Sequence, residues 1–357
     1  MSVPLHLLGP AIRGFLLKRG KSGPFTDMTA HHRAHFRWTY ERDQAELARL
    51  YEAAKRHQWN ASTALDWSID VDPYDPEREL LSEEFLPFRE SRVYRTLPDR
   101  KKREHRMGLM AWMLSQFLHG EQGALFAACQ VTEAIEWVDG KLFGSTQVVD
   151  EGRHVEVFTR YLTEKLGKLY VINDNLYTII DALMTDRRWD MKFLGMQIMV
   201  EGLALGAFGT LRSQSREPLL RQLLGYVITD EARHVHYGVV TLGNYYRTLP
   251  DRQRREREEW AYEVSVLLRD RFLAHEFYEE YYAPEVSRAG WNRIVLESKY
   301  MEHFRRTMFR RLIPNLKRIG LLSDRIRPRY ESLGLLQWEH EKAAPELTAK
   351  EILDDPQ

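Results

Sequence analysis

Glu121 and Glu201 are each the only acidic or basic side chain in a long uncharged stretch, counting histidine as neutral. The stretches are Met107 to Thr132, 26 residues, and Phe193 to Leu211, 19 residues. A carboxylate isolated in apolar sequence is costly unless it is protonated, paired or bound to a cation. Thirty residues after each lies a second glutamate, in Asp150-Glu151-Gly152-Arg153-His154-Val155 and in Asp230-Glu231-Ala232-Arg233-His234-Val235. The chain therefore repeats at an offset of 80, with Glu121 matching Glu201, Glu151 matching Glu231 and His154 matching His234. A single E-x-x-H is expected by chance in a chain this long, whereas two such hexapeptides in register with two lone glutamates are specific. Four carboxylates with two imidazoles form an oxygen-rich donor set that suits iron or manganese better than zinc or copper.

Four elements must position these groups. Proline-free segments with helical periodicity run from about Lys101 to Trp137, Lys141 to Leu166, Trp189 to Ser213 and Pro218 to Arg247. Gly140 marks one break and the run Ser213 to Pro218 the other. Each repeat reads as a helical hairpin that climbs from the lone glutamate, turns and descends to the E-x-x-H. The i, i+3 spacing puts each glutamate and histidine on one helix face, one turn apart.

This ligand set resembles that of the ferritin-like di-iron carboxylate oxygenases, in which two helices give one Glu each and two more give a Glu-x-x-His. The resemblance covers about residues 101–247. It implies an all-α fold, a ferritin-like four-helix bundle with a di-metal core and additional flanking helices. Glu121, Glu151 and His154 would bind one metal and Glu201, Glu231 and His234 the other, with carboxylates bridging. Asp150 and Asp230 would receive the outer N–H of the histidines in a crossed pair, Asp150 to His234 and Asp230 to His154. Arg153 and Arg233 would balance the aspartates. The implied activity is that of an O2-activating oxidoreductase, a monooxygenase acting by hydroxylation or N-oxygenation on an apolar or aromatic small molecule. Its cofactor is two Fe ions, with Mn/Fe as the variant, and O2 is co-substrate. A desaturase, a ribonucleotide-reductase-like oxidase and a ferritin-like iron-binding protein are the alternatives.

Three departures from subfamily patterns bear on the substrate. Phe158 stands where reductase small subunits place a radical tyrosine, although Tyr161 and Tyr237 lie on the same helices. Leu205 stands where hydrocarbon monooxygenases place a threonine, and Val227 where arylamine N-oxygenases add a seventh ligand histidine. Ala124, Leu125, Phe158, Ala204, Leu205, Phe208, Val227 and Ile228 form the expected apolar pocket. Gly123, Gly202 and Gly206 are expected to leave space near the metals.

Composition sets the remaining bounds. The 357 residues allow two ordinary domains or one large helical one, and an internal duplication favours one. The expectation is a single helical domain over 1–357, with the di-metal core at about 101–247. A helix from about Ala30 to Gln58, carrying His31, His32 and His35, and a wrapping loop fill the N-terminal part to about 99. Covering helices at Pro250–Tyr282 and Glu285–Leu322 and a disordered tail at 343–357 complete it. Lysine plus arginine and aspartate plus glutamate number 52 each, and a chain of zero net charge lacks the basic excess of a nucleic-acid binder. One cysteine excludes an internal disulfide framework and a Cys-rich metal site. The two uncharged stretches approach membrane-span length, but a mid-span acid costs about 2.5–3.5 kcal/mol, so buried helices are the better reading. Residues 1–20 lack the basic start of a signal peptide, which makes a cytoplasmic enzyme the expectation. No G-x-G-x-x-G is present, so electrons are expected from an external reductase or ferredoxin. The aromatic run at Phe277 to Tyr282 allows a subunit contact in a homodimer.

Overall fold

The computed structural model describes residues 5–24, 26–31, 33–348 and 351. It is all-helical among these residues. Two antiparallel hairpins form the core: α2 (Asp99–Ala134) with α3 (Val138–Arg160), and α5 (Trp189–Gln214) with α6 (Pro218–Tyr246). α1 (Ala45–Arg56) packs on α3 and α6, while α4 (Asp174–Thr185) and α7 (Asp251–Asp270) cover α2 and α5 from the other side.

Local chemistry sets the boundaries. Pro218 occupies the first turn of α6, where its missing N–H is not needed, and the Glu217 carboxylate accepts the free N–H groups of Leu219 and Leu220 at 2.8 and 2.6 Å. α3 continues through a π-helical segment, Tyr161–Leu166, and stops at Gly167, whose φ of +62° is the left-handed conformation that glycine adopts freely. α4 begins where the Asn173 side chain accepts the Asn175 N–H at 3.0 Å; it is buried over most of its length, and Asp174, Thr178, Asp181 and Thr185 form its polar stripe. Trp189–Gln214 is long and apolar enough to cross a membrane by composition, and most of it is buried inside this fold.

Several boundaries depart from the sequence expectations. The first hairpin turns at residues 135–137, and Gly140 lies inside α3, where a side chain would meet Ile135 Cδ1 at 2.6 Å. Residues 30, 31 and 33–44 are not helical: Phe36, Trp38 and Tyr40 are exposed and Tyr40 has φ +54°. Instead the His35 N–H caps the end of α2 by donating to the Glu133 carbonyl at 2.7 Å. His31 and His35 are therefore on no helix face, and His32 lies outside the described residues. The expected covering helices are broken, at Arg271–Ala274 in the first and into Arg288–Glu297, Lys299–Phe309 and Leu312–Arg318 in the second. The tail is docked over 343–348: Ala343 and Ala344 are buried, and the Ala344 N–H donates to Asn315 Oδ1 at 2.8 Å. Residues 349, 350 and 352–357 lie outside the described residues.

Candidate metal centre

The two hairpins bring Glu121 (α2), Glu151 and His154 (α3), Glu201 (α5), and Glu231 and His234 (α6) to one interior volume, all six buried. Their donor atoms form two overlapping sets, Glu121, Glu151, His154 and Glu231, then Glu151, Glu201, Glu231 and His234. Glu151 and Glu231 belong to both, which is the arrangement that two bridged ions require.

Each imidazole has two distinct faces. His154 Nδ1 lies 3.2 Å from Glu121 Oε2 and 3.1 Å from Glu231 Oε1, while its Nε2 lies 3.2 Å from Asp230 Oδ2. His234 repeats this with Nδ1 3.1 Å from Glu151 Oε1 and Nε2 3.2 Å from Asp150 Oδ2. The aspartates thus cross between hairpins. An Nε2–H donated to aspartate leaves the Nδ1 lone pair for a cation. Arg153 spans Asp150 and Asp230, and Arg233 pairs with Asp230.

Three observations fit this cluster to a pair of divalent cations. Glu151 Oε2 and Glu201 Oε2 are buried without a hydrogen-bond partner, while Glu231 Oε1 lies 3.1 Å from His154 Nδ1 and Glu151 Oε1 3.1 Å from His234 Nδ1. Second, six carboxylates face two guanidiniums, an excess of four negative charges that two divalent ions cancel. Third, burial and then the Glu231 charge hold Glu121 and Glu201 well above the ordinary carboxylate range. Burial opposes charge on His154, yet the hydrogen bonds it donates to Asp230, Glu121, Glu151 and Glu231 outweigh it and raise its pKa well above the usual value. His234 is raised likewise, against burial, by Glu151 and by its bonds to Asp150, Glu151 and Glu231. Acids that hold protons beside bases that hold protons mark a site built for compensating cations.

A small cavity of about 20 Å³, room for one water-sized group, opens beside the cluster. Its lining includes Glu121, Glu201, Glu231 and Arg271. Arg271 is 4 % exposed, burial lowers its pKa to about 10, and its guanidinium has no acidic partner among the described residues. Of the expected apolar pocket, Ala124 and Ala204 line this cavity. Phe158 and Phe208 stack at 5.8 Å in a cluster with Phe117, which does line it, and Leu205, Val227 and Ile228 are buried in the core. Leu125 is half-buried. Gly123 and Gly206 face outward, where added side chains would meet Ile180 at 3.0 Å and the Met308 backbone at 2.9 Å; they admit neighbouring helices rather than substrate. Tyr161 donates to Glu217 at 2.8 Å and Tyr237 to the Gly140 carbonyl at 2.9 Å, so both hydroxyls are committed to the scaffold.

Four further residues complete the surroundings. Gln58 Nε2 donates to Asp150 at 2.9 Å and Trp59 Nε1 to Asp230 at 2.7 Å, both from the loop after α1. Nothing local in the sequence marks that pair. Gln147 and Gln197, fully buried, could have been noticed as polar residues one turn before Glu151 and Glu201.

Fold and site together define a ferritin-like di-iron carboxylate protein. The family model of p-aminobenzoate N-oxygenase AurF matches residues 41–320, and the chain belongs to this family of di-iron oxygenases. Among solved structures, a glycine-to-phenylalanine variant of an R2-like ligand-binding oxidase with a Mn/Fe cofactor is 19% identical, covering 79% of this chain and 96% of that one at a TM-score of 0.46. A valine-to-leucine variant of the same oxidase is 19% identical, covering 81% and 100% at a TM-score of 0.47. No curated protein sequence matches the chain. The chain is thus an oxidoreductase that uses O2 and an iron pair on a small-molecule substrate.

Proposed function

We propose that the chain N-oxygenates the amine of an aromatic acid of the p-aminobenzoate kind, and that Glu121, Glu151, His154, Glu201, Glu231 and His234 hold its two iron ions. The observation that carries the substrate reading is Arg271. Two divalent ions already cancel the charge of the cluster, so this buried guanidinium remains a surplus cation facing the same cavity. A buried unpaired charge is expensive, and a substrate carboxylate supplies its partner through a two-pronged bond. The family name points to the same chemistry, an amine and a carboxylate at opposite ends of a ring.

When bound, the iron pair supplies electrons and Lewis acidity for activating O2. The chain's own groups do the rest. Asp150 and Asp230 fix the histidine tautomers, Phe117 and Val200 keep the cavity dry, and Arg271 orients the ring so that the amine faces the ligand carboxylates. Met196, a flexible side chain in the cavity wall, is the natural one to yield as the ring enters. Insertion of one oxygen atom converts R–NH2 to R–NHOH, releases the second as water and consumes two electrons and two protons. Those electrons come from an external reductase or ferredoxin.

The test is turnover of iron-loaded protein, with a chemical reductant and labelled O2, on p-aminobenzoate and on aniline, followed by mass spectrometry. Labelled hydroxylamine from p-aminobenzoate is expected, with Arg271→Leu raising KM for the acid and leaving aniline unaffected. Ring hydroxylation would overturn the N-oxygenase reading, and equal loss on both substrates would overturn the role of Arg271.

A further inference from the structure

The internal duplication breaks at three positions around the cluster. At the offset of 80, Phe117 faces Gln197, Gln147 faces Val227 and Phe158 faces Gly238. In space these exchanges segregate to opposite sides. Phe117 and Phe158 lie together with Phe208, ring centroids 4.6 to 6.3 Å apart. On the other side Gln197 Nε2 donates to Gln147 Oε1 at 3.4 Å, and Gln147 Nε2 donates to Glu151 Oε1 and to Glu201 Oε1, each at 3.1 Å. Gly238 makes room for this amide chain, since a Cβ there would lie 2.8 Å from Gln197 Cβ. Gln197 itself sits in the π-helical segment Leu194–Val200 that leads into Glu201, the kind of irregular turn that is frequent at functional sites.

The direction of the chain follows from its end. As ligands of cations Glu151 and Glu201 would be ionised and only accept, so the Gln147 amide nitrogen must face them, its oxygen must accept from Gln197, and Gln197 Oε1 is left buried without a donor. Both bonded oxygens belong to the second donor set, Glu151, Glu201, Glu231 and His234. Glu121, the counterpart of Glu201, receives no amide; its Oε2 faces His154.

We propose that Gln147, braced by Gln197, is a positioning residue that makes the two metal sites unequal. It occupies one lone pair of Glu201 Oε1 and restrains that carboxylate, so that the unpartnered Oε2 would be its freer donor toward the second ion. Glu121, beside Phe117 in the wall of the small cavity, has no such amide restraint among the described residues. The inequality thus comes from this chain's amide pair, with the two donor sets otherwise alike in residue type. This inference rests on the binding of two ions proposed above.

The experiment is anaerobic titration of the full chain with ⁵⁷Fe(II), read by Mössbauer spectroscopy and by competition with a chelator. The wild type is expected to show two quadrupole doublets of equal area. Gln147→Leu should shift one doublet and weaken one ion by about 10- to 100-fold, the usual cost of losing a partner of a metal ligand. Two identical doublets in the wild type, or a Gln147→Leu spectrum unchanged or changed in both doublets, would overturn the proposal. Protein that takes up no iron at all would instead sink the metal assignment. Circular dichroism of the variant shows whether the fold is kept, and Gln197→Leu gives a second route to the same shift should Gln147→Leu fail to fold.

Discussion

His234 Nε2 lies 3.2 Å from Asp150 Oδ2, joining two helical hairpins across 84 residues of chain. The reciprocal bond, His154 to Asp230, has the same length. Each aspartate sits beside the ligand glutamate of its own repeat, yet it orients the histidine of the other. Loss of Asp150 should therefore weaken the ion held by Glu201 and His234, and loss of Asp230 the one held by Glu121 and His154. Asp150→Ala and Asp230→Ala are each expected to lower iron affinity by about 10- to 100-fold at one ion. Asp150→Asn and Asp230→Asn keep an acceptor oxygen and should recover most of it. Chelator competition reads both; a uniform loss at both ions from either variant would contradict the crossed arrangement.

Iron binding should release protons. In the metal-free protein Glu121 and Glu201 hold theirs to higher pH than ordinary glutamates, because burial and Glu231 disfavour the charged form. His154 and His234 hold theirs because neighbouring carboxylates outweigh burial. A cation must displace every one of these protons. The sign follows: groups with raised pKa are occupied at low pH, so apparent affinity falls as pH falls and climbs as pH rises toward their pKa values. Adding Fe(II) anaerobically to lightly buffered protein with an indicator dye should acidify the solution. Pairing of pH-independent affinity with no acidification would refute this account.

The carboxylate-histidine cluster was legible in sequence because charge is conspicuous where there is almost none. Glu121 and Glu201 stood out against apolar stretches, and the offset of 80 tied them to the two E-x-x-H segments. The same apolar character hid other features. Gly123 and Gly206 could not be assigned a face until the Ile180 and Met308 contacts were known; α4, by contrast, has a polar stripe at Asp174, Thr178, Asp181 and Thr185 that marks it as a helix in the sequence. Arg271 lies just past a helix crowded with arginines, and only its burial without an acidic partner among the described residues distinguishes it. Gln58 and Trp59 reach the aspartates from a loop whose path no local pattern encodes.

Two helical glycines, one on α3 and one on α6, should respond oppositely to alanine. Around Gly152, a Cβ meets nothing within 4 Å, so Gly152→Ala gains helix propensity and should stabilise the protein by about 0.5–1 kcal/mol. At Gly238 the same gain is set against a 2.8 Å contact with Gln197 Cβ, which sits on a helix backbone and cannot swing away. Overpacking of this kind costs about 1–3 kcal/mol and outweighs the gain. Denaturant titration of the two variants should show opposite shifts in midpoint, and a stabilised Gly238→Ala would mean that α5 and α6 are looser than drawn.

The overlap of the two donor sets makes a sharper demand on stoichiometry. Glu151 and Glu231 serve both sets, whereas Glu121 and Glu201 serve one each. Removing a shared carboxylate takes a ligand from both ions and also strips the partner from His234 Nδ1, 3.1 Å away. Glu151→Ala should therefore bind neither ion tightly. Glu121→Ala leaves Glu151, Glu201, Glu231 and His234 in place and should retain one ion per chain. Glu201→Ala should retain the other, with Glu121, Glu151, His154 and Glu231 intact. Because these alanines also relieve buried like charge, folding itself should survive in all three, and thermal denaturation without metal checks this. Metal counted after desalting is then expected near none for Glu151→Ala and near one for each lone-glutamate variant. Two ions retained by Glu151→Ala would show that it does not bridge, and none retained by Glu121→Ala would show that the ions bind only as a pair.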